Sequence, residues 1–169
     1  MVIIREVLPA EQPLVGELRV AAYQAIGLLP ESSEYAATLR TFGFGPRGCT
    51  VLVAAGQAGG LLGTVTLEPY GPDSELARNP AEADLRAFAV AARAQGQGVG
   101  RQLLRAVIDH AAGQGISTLR LCTQPAMAAA QHLYAKAGFT RTPAFDFAPV
   151  PGLTLRAYEL VLPLSPAAG

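Results

Sequence analysis

The sequence predicts a single α/β domain built on a mixed sheet flanked by helices. Its 169 residues are 50% hydrophobic with no formal net charge, which suits one folded domain with its own core. The first half contains a hairpin-like pair of β-rich segments joined by a glycine-bearing turn. The second half alternates strand, helix, strand, helix and strand.

The elements follow from local patterns. Val2–Val7 opens as a strand, with Val2, Ile3 and Ile4 apolar and β-branched. Leu14–Ile26 reads as a helix because Leu14, Leu18, Ala21, Ala22 and Ala25 recur at helical spacing, with Gly27 as its stop. Ser32–Thr41 forms a second short helix capped near Ser32 or Ser33. Cys49–Ala55 and Leu61–Leu67 are strands around the turn Gln57–Gly60, since Val51, Val53 and Val65 with Thr50, Thr64 and Thr66 suit a sheet. Pro69, Gly71, Pro72, Asp73, Asn79 and Pro80 make Glu68–Glu82 a loop.

Asp84–Val90 is the next strand. Leu85 and Phe88 break strict alternation, which points to a bulge or to burial on both faces. Val99, Leu103, Leu104, Val107, Ile108 and Ala111 lie on one face of a helix that Gly113 and Gly115 end. Ser117–Cys122 is a strand, Met127–Lys136 a helix closed by Gly138, and Phe139–Asp146 a strand whose register Pro143 breaks. Leu153–Leu162 is the last strand, and the tail 163–169 is expected to be disordered.

The same composition narrows the function. No basic excess exists for holding nucleic acid. Cys49 and Cys122 form no CxxC pair, and His110 and His132 have no metal-ligand spacing, so no metal site is expected. The N-terminus MVIIREVLPAEQ does not read as a signal peptide, and no apolar run reaches the roughly 20 residues that span a membrane. A cytoplasmic location is the expectation.

The segment Gln95–Gly100, QGQGVG, places three glycines at a strand-to-helix junction. The first N–H groups of a helix lack intrahelical partners and lie at the positive end of its dipole. Without side chains in the way, an anion such as a phosphate can reach them. The segment is not a P-loop, because Arg101 and Gln102 follow instead of a Lys–Ser/Thr pair. Nor is it the dinucleotide fingerprint, because Gly96, Gly98 and Gly100 alternate as G-x-G-x-G. A tight structural turn is the other reading of the loop alone.

These residues resemble the GCN5-related N-acetyltransferase (GNAT) superfamily, in its bacterial type. Its first marker, Arg or Gln, two residues, Gly, one residue, Gly or Ala, falls on Gln95, Gly98 and Gly100. Phe88-Ala89-Val90 is similar to the end of its central bulged strand. Its second marker, Leu-Tyr-x-x-x-Gly-Phe, falls on Leu133, Tyr134, Gly138 and Phe139, and Tyr158–Leu162 looks like its last strand. One departure is Met127, where many members carry Asn; a bacterial subset has a Thr-x-x-x-Met pattern similar to Thr123 and Met127.

The resemblance implies an acyl-CoA N-acyltransferase fold over residues 1–169, with the fourth and fifth strands, Asp84–Val90 and Ser117–Cys122, splayed apart. It implies acetyl-CoA as co-substrate, with its pyrophosphate on the N–H groups of Gln95, Gly96, Gln97, Gly98, Val99, Gly100 and Arg101. Arg101 or Arg93 would add a charge-assisted contact. The pantetheine arm would pair with the backbone of Phe88, Ala89 and Val90, and an N–H at or beside Val90 would polarise the thioester carbonyl. Tyr134 would give its proton to the departing thiolate. Asp84, with Glu82 behind it, is the candidate base for an amine attacking directly in a ternary complex. Cys122 is expected to be a small filler, since nothing in the sequence supplies it with a base, and His110 and His132 are expected to be structural or exposed.

The acceptor is expected to be a small-molecule or peptide amine, and a homodimer is possible by the same resemblance. Specificity would come from Leu14–Thr41, Glu68–Glu82 and Phe139–Leu153. Asp73, Glu75, Glu82 and Asp84, if gathered in space, would attract a cationic amine, and Tyr23, Tyr35 and Tyr70 would line the cleft. A non-catalytic acetyl-CoA-binding sensor or scaffold is the alternative reading.

Overall fold

A computed structural model of the chain describes residues 1–27 and 34–163. The expected cap at Ser32 or Ser33 and the tail 164–169 lie outside the described residues. The chain forms two compact units, Met1–Glu68 with Arg86–Val107 and Pro69–Leu85 with Ile108–Gly169.

The first unit starts with β1 (Ile3–Glu6), α1 (Gln12–Ala25) and α2 (Glu34–Thr41), then β2 (Thr50–Ala55) and β3 (Leu61–Pro69). It also takes the second part of β4 (Glu82–Val90) and the first part of α3 (Val99–Gly113). Its strands lie in the order β1-β2-β3-β4. The pairs β1–β2 and β2–β3 are antiparallel, with Ile4 opposite Ala54 and Leu52 opposite Val65. Pro13 sits in the first turn of α1, where its missing N–H costs no hydrogen bond. Val15 of α1 packs against Val51, Val53, Ala55 and Leu61, while Val20 meets Ala36 and Leu39 of α2. The stripe read from the sequence for α1 is corrected: Leu14, Ala21 and Ala25 are exposed and Leu18 is half-buried, and the face that α1 buries is Val15, Gly16, Arg19, Val20 and Ala22.

Gly63 shows why β3 needs a residue without a side chain. A Cβ there would stand 2.8 Å from Leu103 Cδ1, 3.0 Å from the Ala89 carbonyl oxygen and 3.2 Å from Val99 Cγ1. The glycine lets the start of α3 lie directly on the strand.

The second unit holds β5 (Thr118–Thr123), α4 (Ala128–Lys136), β6 (Thr140–Arg141), β7 (Phe147–Val150) and β8 (Leu153–Val161). Its strand order is β4-β5-β8-β6, with β7 also on β8. The β4–β5 ladder is parallel and runs only from Glu82 opposite Thr118 to Asp84 opposite Arg120, although β4 continues to Val90 and β5 to Thr123. This short ladder is the splay that the fold implies. The antiparallel β5–β8 ladder, by contrast, covers all of β5, from Thr118 opposite Val161 to Thr123 opposite Arg156.

One expected strand is corrected. Phe139–Asp146 yields only Thr140–Arg141, because Pro143 opens a 3-10 turn over Pro143–Phe145. The chain then returns as β7, which the sequence does not announce because Pro149 lies inside it. Asp146 anchors the return: it pairs with Arg141 at 2.8 Å and accepts the Ala157 N–H at 2.8 Å. The Arg141 guanidinium, seconded by the Ala157 N–H, lowers its carboxyl to about 2.

Candidate active site

In the first unit, β4 is bent by Ala87, whose φ of 50° is left-handed without being glycine. Such a conformation is costly for a residue with a Cβ, and alanine minimises the clash. The bend explains the broken alternation of Leu85 and Phe88. Phe88 and Val90 are half-buried, and Ala89 is buried.

After a 3-10 turn at Ala92–Ala94, Gly96 and Gly98 take φ values of 77° and 79°. This answers why glycine precedes the helix: L side chains rarely adopt these torsions. Crowding is not the cause, since a Cβ on Gly96 would meet nothing within 4 Å. The first backbone bond closing α3 runs from the Gln102 N–H to the Gly98 carbonyl at 3.1 Å. The amides from Gly98 to Arg101 are therefore the ones that a helix leaves without intrahelical acceptors.

Gln95, Gln97 and Arg101 are exposed around this turn, Gly100 is half-buried, and Val99 is buried into the core. Arg93 is committed elsewhere, its Nη2 donating to the Leu61 carbonyl at 2.8 Å. Of the two expected arginines, Arg101 is the one beside the turn, with a guanidinium nitrogen 3.7 Å from where a Cβ on Gly98 would stand.

The first unit also contains a charged cluster that sequence reading missed. Arg19 of α1 is fully buried, yet it donates from Nη1 to the carbonyls of Leu39 and Phe42, each at 2.8 Å, and from Nη2 to Thr66 Oγ1 at 2.9 Å. The carbonyls at the end of α2 are the negative pole of that helix, which suits a cation. Burial pushes the Arg19 guanidinium down to about 10, so it remains charged at neutral pH. Glu68, 4% exposed at the end of β3, pairs with Arg86 at 3.3 Å and Arg47 at 3.6 Å. The signal was an arginine inside the apolar stripe of α1, between Leu18 and Val20.

The second unit holds the other expected site residues. Tyr134 of α4 is 5% exposed, with its ring against Phe139 at 5.8 Å and Tyr158 at 6.3 Å between centroids. The second sequence marker thus packs on itself, Tyr134 on Phe139, around the left-handed Gly138 at φ 100°.

Asp84 and Glu82 have structural duties. Asp84 is 1% exposed, and its two oxygens accept the N–H groups of Leu76 and Ala77 at 3.0 and 2.9 Å. Glu82 takes Arg120 through both oxygens, at 2.9 and 3.2 Å, and the Arg78 N–H at 2.7 Å. The Arg120 guanidinium holds the Glu82 carboxyl below the usual carboxylate range. Arg120 also reaches Glu159 at 2.7 Å and stacks on Phe145 at 4.1 Å. Asp84 and Glu82 clamp the loop before β4, and this geometry lends no support to either as a base.

Of the four acidic residues expected to attract an amine, three have other partners. Glu82 faces Arg120, Asp84 faces backbone N–H groups, and Glu75 accepts a hydrogen bond from the Cys122 thiol at 2.9 Å. The sequence offered Cys122 no carboxylate; the fold brings one. His132 is exposed, and His110 lies 3.0 Å from Gln114 Nε2. Of the three tyrosines expected near an acceptor, Tyr35 joins Arg86 and Ala87 in lining a pocket of the first unit.

Comparisons with known proteins agree with this fold. A GNAT-family acetyltransferase from Staphylococcus aureus superposes with a TM-score of 0.77 at 19% identity, covering 96% of this chain and 100% of that one. The ribosomal-protein-S18-alanine N-acetyltransferase of Escherichia coli gives 0.72 at 21% identity over 99% and 98% of the two chains. A GCN5-related N-acetyltransferase from Kribbella flavida gives 0.73 at 23% identity over 95% and 98%. No curated protein sequence matches the chain. Residues 16–139, which hold both glycine-bearing markers and the whole of β4, match the acetyltransferase (GNAT) family, and the chain belongs to that family.

Proposed function

We propose that the chain transfers the acetyl group of acetyl-CoA to a primary amine, by direct attack in a ternary complex within a single N-acetyltransferase domain. The observation that carries this reading is the turn at Gly96 and Gly98: two left-handed glycines lead into α3 after β4 and the 3-10 turn at Ala92–Ala94. The amides of Gly98, Val99, Gly100 and Arg101 suit a pyrophosphate, with Gln95, Gly96 and Gln97 forming the approach and Arg101 adding charge. The backbone of Phe88, Ala89 and Val90 suits the pantetheine arm and the thioester carbonyl.

Tyr134 is the acid of this reading. A phenol holds its proton at neutral pH, with an ordinary pKa of about 10, and can pass it to a thiolate as the C–S bond breaks. The amine forms the new C–N bond and must lose its own proton. With Asp84 and Glu82 engaged by the loop and by Arg120, water takes that proton in this reading.

Calorimetric titration with acetyl-CoA, CoA and ATP tests the reading, followed by thiol release over a panel of amines. Selective binding of acetyl-CoA and CoA, with release that depends on an amine, is expected. Binding without acceptor-dependent release would replace the transferase with a sensor or scaffold, and failure to bind CoA would remove both.

A further inference from the structure

The bend in β4 stands on an alanine. Ala87 has a φ of 50°, a torsion that glycine takes freely. An alanine takes it only as a minor state, because its Cβ crowds the backbone. Such a residue keeps its torsion where the surrounding structure over-determines it. Its neighbour Arg86 is held from two sides. The Arg86 Nη1 donates to Glu68 Oε1 of β3 at 3.3 Å, and its guanidinium carbon lies 4.5 Å from the centre of the Phe42 ring. Ala87 itself packs on the cluster of Val20, Ala36 and Leu39, from α1 and α2.

Both anchors of Arg86 are fixed in turn. Glu68 is 4% exposed and also meets Arg47 at 3.6 Å. Phe42 stands just past α2, where Arg19 donates to its carbonyl and to that of Leu39, each at 2.8 Å. The same guanidinium reaches Thr66 Oγ1 at 2.9 Å, two residues before Glu68 on β3 and on the same face of it. β3 lies beside β4 in the sheet. The contacts close a ring: Thr66 to Arg19, Arg19 to Phe42, Phe42 to Arg86, and Arg86 to Glu68. Unbending β4 at Ala87 would pull Arg86 from both an ion pair and a cation–π stack.

We infer that Arg86 is a positioning residue of the transfer reaction: through Glu68 and Phe42 it holds Ala87 in the left-handed bend, and the bend aims the backbone amides of Phe88–Val90 at the thioester carbonyl. The inference rests on the transferase reading and goes beyond it by assigning the side chains that set this aim. Arg86 touches no substrate. An oxyanion donor works only when it points at the developing charge, so the fraction of molecules with the bend formed is the fraction able to react. An alanine released from the ring keeps the torsion in roughly one part in 10 to 100.

The test compares Arg86→Gln with the wild type, alone and in an Ala87→Gly background. Thiol release is read at saturating acetyl-CoA with the most active amine of the panel. Arg86→Gln should lower kcat by about 10- to 100-fold, with KM for the amine held within about threefold. Arg86→Lys, which keeps the charge but not the planar stack, should recover part of the loss. In the Ala87→Gly background the loss of Arg86 should cost less than about threefold in kcat, because glycine takes the bend without being held. NMR gives a readout independent of activity: the Ala87 13Cα and 13Cβ shifts, which follow its torsions, should move from left-handed towards extended values in Arg86→Gln. Should Arg86→Gln fail to fold, Phe42→Leu removes the ring and leaves the ion pair. It should lower kcat by about 3- to 10-fold, a loss that Ala87→Gly likewise cancels. An unmoved kcat, a loss that falls on KM for the amine, a loss as large in the Ala87→Gly background, or unmoved Ala87 shifts would each overturn the inference alone. Absence of acetyl-CoA binding, or of amine-dependent release by the wild type, would instead overturn the transferase reading and the inference with it.

Discussion

Asp84→Asn separates a structural carboxylate from a catalytic one. Asp84 is 1% exposed and receives two backbone N–H groups, Leu76 at 3.0 Å and Ala77 at 2.9 Å. Asparagine can accept one of them through its carbonyl. Its NH2 group then confronts the other N–H, donor against donor. The loss of one charge-assisted bond and the burial of an unpaired donor together cost about 3–5 kcal/mol. For a chain of this length each kcal/mol lowers Tm by about 2–4 °C, so a fall of roughly 6–20 °C is expected. Differential scanning calorimetry measures it, and thiol-release kinetics well below the variant's Tm measure what remains of activity. A structural role predicts a large fall in Tm with kcat mostly retained. An unchanged Tm with kcat reduced by about 10²-fold or more would refute this reasoning and restore Asp84 as the base.

Other expectations follow from the same geometry. Tyr134→Phe keeps the ring that packs on Phe139 and Tyr158, so acetyl-CoA affinity should hold while kcat falls about 10²-fold; unchanged turnover would remove Tyr134 as the acid. Gly63→Ala places a Cβ within 3.0 Å of the Ala89 carbonyl oxygen, a backbone atom that cannot swing aside. It should cost about 1–3 kcal/mol, visible as a lower urea midpoint, and an unaltered midpoint would show that α3 can retreat at no cost. Asp146 has its folded pKa lowered to about 2 from 3.8, so the stability it contributes is complete above 3.8 and is lost as pH falls towards 2. Urea titrations of the wild type and Asp146→Asn across that window should converge at the acid end; parallel curves would show that the pair contributes nothing.

The agreement between sequence and structure is strongest where the controlling forces are local. Gly96 and Gly98 are legible because a left-handed torsion can be read from the one residue that tolerates it. The face Val99, Leu103, Leu104, Val107 and Ala111 is legible because helical period and burial coincide, and all five are buried. The second marker is legible because Tyr134, Gly138 and Phe139 form one contiguous helix ending. The strand expected at Phe139–Asp146 failed where two local signals competed, and Pro143 prevailed over the apolar residues around it.

The roles of the charged residues were not local matters. Sequence position put Asp84 and Glu82 near the fourth strand, but their partners, Leu76, Ala77 and Arg120, are set by loop closure and by a parallel ladder. Arg19 looked like one polar position in an apolar helix until folding brought Leu39, Phe42 and Thr66 around it. Arg86 gains meaning only beside Phe42 and Glu68. By itself the sequence determined most of the elements, the glycine turn and the family markers, because torsional preference and apolar periodicity act within a few residues. The tertiary structure decided which partners each buried charge meets. A charge's role depends on burial and on partners that only the folded chain brings within hydrogen-bond distance.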